Sequence, residues 1–321
     1  MVPARPGDAT YLQLLESMPV MLWTADAQGV WHHINYAWAE YTGLTGDTPG
    51  FGFEESLHPD DVAPTLSRWR AAVSARRPYE IEYRLRARDG SYRVFLIRGR
   101  PVQGQEEQPF AWVGTCTDID AQKRAEQQAL DAREAAVRAL GLALEARDDV
   151  TMGHTDRVTG LALRLGQRLS LGQGQLEALR LGAYLHDIGK MAVPDAALHK
   201  PGPLNEDEWV VMRRHASEGA RFAQSLGFLP TATLELIRHH HEHWDGSGYP
   251  SGLRGADIPV LARVFAVVDV YDALISERPY KPAWSKEAAL TEVHALAGSQ
   301  FDPQVTAAFA EMVGRRAGRA D

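Results

Sequence analysis

Five histidines and two aspartates from residue 154 onward stand where side chains turn inward. His154 lies four residues before Val158, on the face that Leu161, Ala162, Leu165 and Leu169 continue. His186 and Asp187 follow the small and apolar run 179–185, and His215 comes three residues after Met212 and four before Gly219. His240 and His241 close the pattern that carries Leu234 and Ile237, while Asp269 sits inside 260–275, a run apolar nearly all round. Spacings of three and four put each of these residues on the inner face of a helix. Singly, each is unremarkable: a lone histidine on an apolar face is usually a core residue with one hydrogen-bond partner. A lone buried aspartate usually pairs with a base, here Arg263 or Arg278. Together, five imidazoles and two carboxylates are costly to bury unpaired. Divalent metal ions remove that cost, because imidazole nitrogen with carboxylate oxygen suits zinc, iron, manganese or nickel. One carboxylate can also hold two ions, one on each oxygen.

Helices must position these groups, and the period from 145 to 313 is helical. Trp209, Met212, Ala216, Gly219 and Ala223 form one further inward face, and 260–275 reads as a central buried helix. Before it, residues 119–140 contain no Gly or Pro, and Ala125, Ala129, Ala132, Ala136, Ala139 and Ala143 repeat with a seven-residue period. That predicts a long connecting helix, and one able to form a parallel coiled coil between two chains. The first 118 residues read as strands and turns. Residues 20–23 and 30–34 flank a hairpin at 26–29, and 80–99 alternates about Asp89-Gly90, which predicts a long hairpin with a type I′ turn. A third strand covers 110–117 and contains Cys116, predicted to be a buried thiol.

The chain has 321 residues, 45% of them apolar and 24% charged, a length that suggests two domains and a composition that excludes wholesale disorder. Its single cysteine forbids an intramolecular disulfide and fits a reducing compartment. No apolar run approaches the ~20 residues that span a bilayer, and the first residues lack a signal-peptide core. A soluble cytoplasmic protein with no membrane partner is expected. The net charge of −8 argues against binding a nucleic-acid polymer. It leaves room for a small anionic ligand held by metal ions. The arginines at 315, 316 and 319 read as a solvated tail.

His186-Asp187-Ile188-Gly189-Lys190 resembles the HD motif of metal-dependent phosphohydrolases, and His240-His241-Glu242 followed by Asp245-Gly246-Ser247-Gly248-Tyr249-Pro250 resembles the HD-GYP signature. Gly153-His154, Lys200-Pro201-Gly202, His215 with Gly219, Asp269 to Leu274, Arg278-Pro279-Tyr280 and Phe301-Asp302-Pro303 agree with it in order and spacing, so the resemblance runs from Leu142 to Phe309. It implies an all-α metallohydrolase that cleaves cyclic di-GMP at a two- or three-metal centre. Carried onto this sequence, His154, His186, Asp187 and Asp269 would hold one ion. Asp187 would bridge to a second ion held by His215, His240 and His241. His239 lies outside the motif. Asp187 and Lys190 would be the catalytic pair, with Lys190 directing its ammonium at the phosphate, and Arg278 and Lys281 would clamp the other phosphate or a guanine. Water activated by two ions, with iron or manganese favoured, would attack phosphorus in line with the departing 3′ oxygen. Family members with a third ion use a Glu four residues before the histidine of the Gly-His pair. Here that position is Val150, with Asp149 beside it, so two ions are expected. The expected product is pGpG, with slow cleavage on to GMP. The loop around Gly246, Gly248 and Pro250 would then be a docking surface, a diguanylate cyclase being one partner that the resemblance suggests.

The first half resembles a PAS sensory domain, through Asn35, Trp38, Thr42-Gly43, His58-Pro59-Asp60-Asp61, Arg88-Asp89-Gly90 and Thr117-Asp118-Ile119, between Tyr11 and Glu126. Its long helix, near 61–75, has no histidine for a haem, and Cys116 lies on a strand rather than in the helical motif of a flavin photosensor. A PAS domain used for dimerisation is the baseline. The expected organisation is an α+β PAS domain with an antiparallel sheet over 10–118, a signalling helix over 119–144, an HD-GYP domain over 145–313 and a tail over 314–321. Three rivals stand beside the phosphodiesterase: a non-catalytic cyclic-dinucleotide effector, an HD hydrolase acting on another nucleotide such as cyclic GMP-AMP, and a protein in which the PAS half dominates as a ligand-gated interaction module.

Overall fold

A computed structural model describes residues 8–44, 53–102, 111–148, 153–277 and 282–317. The chain divides into two compact units, and the division falls inside one long helix, between Leu130 and Asp131.

The first unit is an antiparallel five-stranded sheet with short helices. Helix α1 (Asp8–Ser17) leads to strands β1 (Met21–Ala25) and β2 (Trp31–Ile34), helices α2 (Tyr36–Thr42) and α3 (Pro59–Ala75), and strands β3 (Tyr79–Arg86), β4 (Tyr92–Val102) and β5 (Ala111–Asp118). The strand order is β2-β1-β5-β4-β3. Alternation sets the faces: Ile81, Tyr83 and Leu85 of β3 and Phe95 and Ile97 of β4 turn into one core with Trp23, Trp31, Trp38, Trp69 and Trp112. Cys116 is buried there, as expected. The β3–β4 hairpin departs from expectation at its turn. A type I′ turn needs positive φ at both central residues, but only Gly90 has it, at 87°. Ala87 pairs with Ser91 across a three-residue loop, with Gly90 N–H donating to Ala87 O at 2.9 Å. Arg88 N–H is spent on Tyr41 O, which holds the loop open by one residue more than the tight turn has.

The second unit is helical. Helix α4 (Asp120–Arg147) enters it, followed by α5 (His154–Arg168), α6 (Gln173–Leu185), α7 (Asp195–Leu198), α8 (Glu206–Ser225), α9 (Thr231–His239), α10 (Val260–Ile275), α11 (Lys286–Ala295) and α12 (Pro303–Ala317). As its composition demands, α10 is the axis: Val264, Phe265, Val267 and Val268 are fully buried among side chains from α5, α6, α9, α11 and α12. In α4 the side that packs is Val137, Gly141, Leu144 and Glu145, while all six heptad alanines are exposed. Helix α8 corrects the sequence reading. Trp209 is 44% exposed, and the buried face starts only at His215 and Ala216. The first turns of α8 run past the edge of the core, and Arg213 covers the Trp209 ring from 5.7 Å. Residues 318–321 of the basic tail, with Arg319, lie outside the described residues. Among the described residues no helix is long and apolar enough to cross a membrane.

Asn35 fixes how the first unit is tied together. It is fully buried, its Oδ1 accepts from Leu22 N–H at 2.9 Å, and its Nδ2 donates to the carbonyls of Leu15, Met18 and Val20. Replacing it with alanine orphans several buried backbone groups at once. Asn35→Ala is expected to destabilise the first unit by about 2–4 kcal/mol, read by denaturant unfolding followed through its tryptophans. An unchanged midpoint would show that water takes over the role of the amide.

Candidate metal centre

The helical unit brings the seven nominated ligands into two adjacent groups. The donor atoms of Asp187, His215, His240 and His241 lie within 4.8 Å of one another, as do those of His154, His186 and Asp269. Five of the seven come from places where a helix starts or stops, and His215 and Asp269 lie inside helices. His154 is the first residue of α5, after Gly153 in a left-handed conformation (φ 84°). His186 caps the end of α6, and Asp187 opens the tight 3-10 turn Ile188–Ala192. That turn crosses α8 so closely that a Cβ at Gly189 would collide with the carbonyl oxygen of His215. His215 is thereby set against Asp187. His240 caps α9 with His241 next to it, and Asp269 projects from α10.

The rings are oriented from behind. The Nδ1 of His186, His215 and His240 lies 2.9, 2.7 and 2.8 Å from the backbone carbonyls of Ala183, Met212 and Ile237. A carbonyl accepts only a donor, so each Nδ1 carries a proton and Nε2 is the nitrogen turned inward; at His186 the neighbouring Asp187 raises the ring's pKa against burial. His154 Nδ1 is held at 2.8 Å by Asp272, a buried carboxylate that also takes Nε of Arg157 at 2.9 Å. Asp187 stands between the groups. Its Oδ2 is 3.2 Å from His186 Nε2, and its Oδ1 is 3.3 Å from His215 Nε2 and 3.9 Å from His240 Nε2. Arg263, one candidate partner for Asp269, pairs instead with Asp302 at 2.6 Å.

Charge follows burial and neighbours. Burial lowers the pKa of His215, and burial together with the neighbouring imidazoles lowers that of His240 far below its usual value. Burial, helped by His215, brings His241 down to about 4. These three rings are neutral near pH 7. Burial opposes charge on His154, but Asp269 and Asp272 outweigh it and raise the ring to about 9. Burial likewise opposes charge on Asp187, but Lys190 and His186 hold the carboxyl far below the usual range. The pKa of Lys190 is raised, because Asp187 and Asp148 outweigh its burial.

This donor set fits divalent ions. The Nε2 atoms of His215 and His240, both lone-pair donors, face each other at 3.4 Å inside the protein. Two buried acceptors at that separation repel unless a cation lies between or beside them. Four carboxylates to which the sequence reading gave no role, Glu242 and Asp272 among the motif residues and Glu145 and Asp148 outside them, complete the frame. Glu145 accepts from the backbone N–H groups of Gly153 and Thr155, on either side of His154. Asp272 holds His154, and Asp148 holds Lys190 Nζ at 2.6 Å. Glu242, buried, accepts from Ser251 and Leu253 N–H at 2.8 and 3.0 Å, folding the 242–253 loop back so that Tyr249 stacks on His241 at 4.8 Å. Within that loop a Cβ at Gly248 would collide with the backbone of residues 241–243. Of the other nominated residues, Lys190 lies 2.7 Å from Asp187 Oδ2. Arg278, Lys281, Asp149 and Val150 lie outside the described residues.

Comparison with known proteins agrees with this geometry. A family model described as HD domain matches residues 139–305, and one described as PAS fold matches residues 32–116. The chain is similar to the cyclic di-GMP phosphodiesterase response regulator RpfG of Xanthomonas campestris pv. campestris, 44% identical over 167 residues, which is 51% of this chain and 44% of that protein. It is similar to the 3′3′-cGAMP-specific phosphodiesterase 2 of Vibrio cholerae, 40% identical over 52% of this chain and 32% of that one. It also resembles a cyclic di-GMP phosphodiesterase of Pseudomonas aeruginosa, 42% identical over 53% and 41% respectively. The chain thus spans less than half the length of each of these relatives.

The opposed pKa shifts separate the two groups in solution. His154 must lose a proton before it can bind a cation at pH 7, whereas His215, His240 and His241 are already neutral. Metal affinity at the His154 group should therefore rise with pH toward 9, while affinity at the His215 group depends less on pH over the same range. Calorimetric manganese titrations in buffers of different ionisation enthalpy, on His241→Ala and Asp269→Ala proteins, measure each group separately. Equal proton release at both would contradict the assignment.

Proposed function

The chain belongs to the HD domain family, and on that premise we propose that its second unit is a metal-dependent phosphodiesterase that hydrolyses cyclic di-GMP to linear pGpG, with slow cleavage on to GMP. The observation that carries the reading is Asp187, with one carboxylate oxygen turned to His186 and the other to His215. Relatives named as cyclic di-GMP phosphodiesterases support the substrate. A second substrate, 3′,3′-cyclic GMP-AMP, has support from the name of the Vibrio relative.

In this proposal His154, His186, Asp269 and Asp187 would hold one ion, and Asp187, His215, His240 and His241 would hold the other. Iron or manganese suits the set. When bound, such ions withdraw charge from phosphoryl oxygens and lower the pKa of water. The protein's own part is to keep the substrate and charge in place. Asp272 and the carbonyls of Ala183, Met212 and Ile237 keep the imidazoles turned inward. Lys190 offers its ammonium to the non-bridging phosphate oxygens. Asp187 and Asp148 favour its charged form against burial, so the ammonium is available to stabilise charge on those oxygens. Arg278 and Lys281 clamp the distal phosphate or guanine. Two ions suffice because Val150 supplies no oxygen for a third.

We assign regulation to the PAS unit over 10–118, acting through the 119–144 helix on the 145–313 domain, with 314–321 a tail. Exposure of the whole alanine stripe supports a homodimer joined along α4. The 242–253 loop is the surface suited to a diguanylate cyclase partner. The single buried thiol supports action in the reducing cytoplasm.

The test is product analysis of manganese-loaded protein with cyclic di-GMP and cyclic GMP-AMP side by side. Linear pGpG appearing before GMP is expected, and tight nucleotide binding with no turnover would favour the non-catalytic effector. Asp187→Ala should abolish turnover and lower bound metal. Lys190→Ala should keep the metal and slow turnover by about 10²-fold. Deleting residues 1–118 should leave basal hydrolysis intact, since every proposed ligand lies beyond 150.

A further inference from the structure

The last turn of α4 reaches the metal centre directly. Lys190 Nζ lies between two carboxylates, 2.6 Å from Asp148 Oδ2 and 2.7 Å from Asp187 Oδ2. Asp148 directly follows α4, and its side chain is 10% exposed. A small cavity, about 20 Å³ and room for about one water, separates this end of α4 from His154, His186 and Asp187. Two neighbours of Asp148 fix the same turn to the site. Glu145 holds the backbone on either side of His154, and Arg147 donates to the carbonyls of Met191 and Val193 and pairs with Asp195 at 2.8 Å.

We propose that Asp148 is a positioning residue for Lys190, which makes the end of α4 the element that sets where the ammonium stands. Lysine is a point charge on a stem of four rotatable bonds, so one carboxylate fixes its distance but not its direction. Asp187 is moreover committed as a ligand on both oxygens. Asp148 is then the carboxylate left to hold Lys190 in place while substrate is bound. Helix α4 is continuous from just after β5 to Arg147. A rotation or slide of that helix therefore reaches Lys190 through Asp148 with no intervening loop.

The effect on turnover rests on the phosphodiesterase reading, so the test uses both cyclic di-GMP and bis(p-nitrophenyl) phosphate, a simple phosphodiester. Wild-type protein that cuts only the second substrate would sink the nucleotide assignment and leave the role of Asp148 measurable. In the full-length, manganese-loaded chain, Asp148→Asn is expected to keep its metal content and KM and to lose about 10- to 100-fold in kcat. Asp148→Glu should recover part of that loss. In a Lys190→Ala background, Asp148→Asn should cost nothing further, because its effect passes through the ammonium. The proposal is overturned if Asp148→Asn has wild-type kcat, if it loses metal, or if it costs the same factor with Lys190 absent. If Asp148→Asn fails to fold, the same cycle is run with Asp148→Glu, and an equal loss with and without Lys190 overturns it too.

Discussion

Burying five imidazoles with two carboxylates is the constraint around which the helical unit is built. Each ring needs its Nδ1 proton placed on something, and each Nε2 lone pair needs something to face. The first need is met by helix ends, since carbonyls near the C-terminus of a helix are free to accept. That is why His186 and His240 cap helices, whereas His215, inside α8, turns its Nδ1 to the carbonyl of Met212 three residues before it. The second need is met at Asp187, whose two oxygens face different rings. The close crossing at Gly189 and the apolar bulk of α10 serve to hold that carboxylate where both groups can share it.

The same logic accounts for the negative charge that lies behind the site. Glu145, Asp148, Asp272 and Glu242 each spend their oxygens on backbone N–H groups, an imidazole, an ammonium or a guanidinium. Because they lie on α4, on α10 and in the 242–253 loop, three separate parts of the chain converge on the ligands from behind. Motion of any one of them changes the geometry of a ring or an ammonium.

The grouping of these side chains was legible in the sequence because several histidines at three- and four-residue spacing among apolar residues are costly to bury unpaired, and because His186-Asp187 and the 240–250 segment carry a recognisable order. Glu145 and Asp148 behind them were not legible, and Glu242 and Asp272 stood in the motifs without a role. A single Glu or Asp at the end of an alanine-rich helix, such as Glu145 or Asp148, reads as a solvated charge until the fold shows what it touches. Helix existence followed from period, and the buried character of α10 from its composition. Details set by tertiary contact did not follow. Trp209 lies on the apolar side of its helix yet sits beyond the core edge, and the turn at Asp89-Gly90 is widened by the contact of Arg88 with Tyr41. In the sheet unit the alternation in β3 and β4 gave the faces, whereas the strand order needs pairings far apart in sequence.

The central claim is that Asp187 bridges two ions, each completed by a different set of rings. Anomalous scattering from crystals grown with manganese tests it most directly. The account predicts two peaks, one beside His154, His186 and Asp269 and one beside His215, His240 and His241, with Asp187 touching both. A single ion, or two ions neither of which touches Asp187, would contradict it.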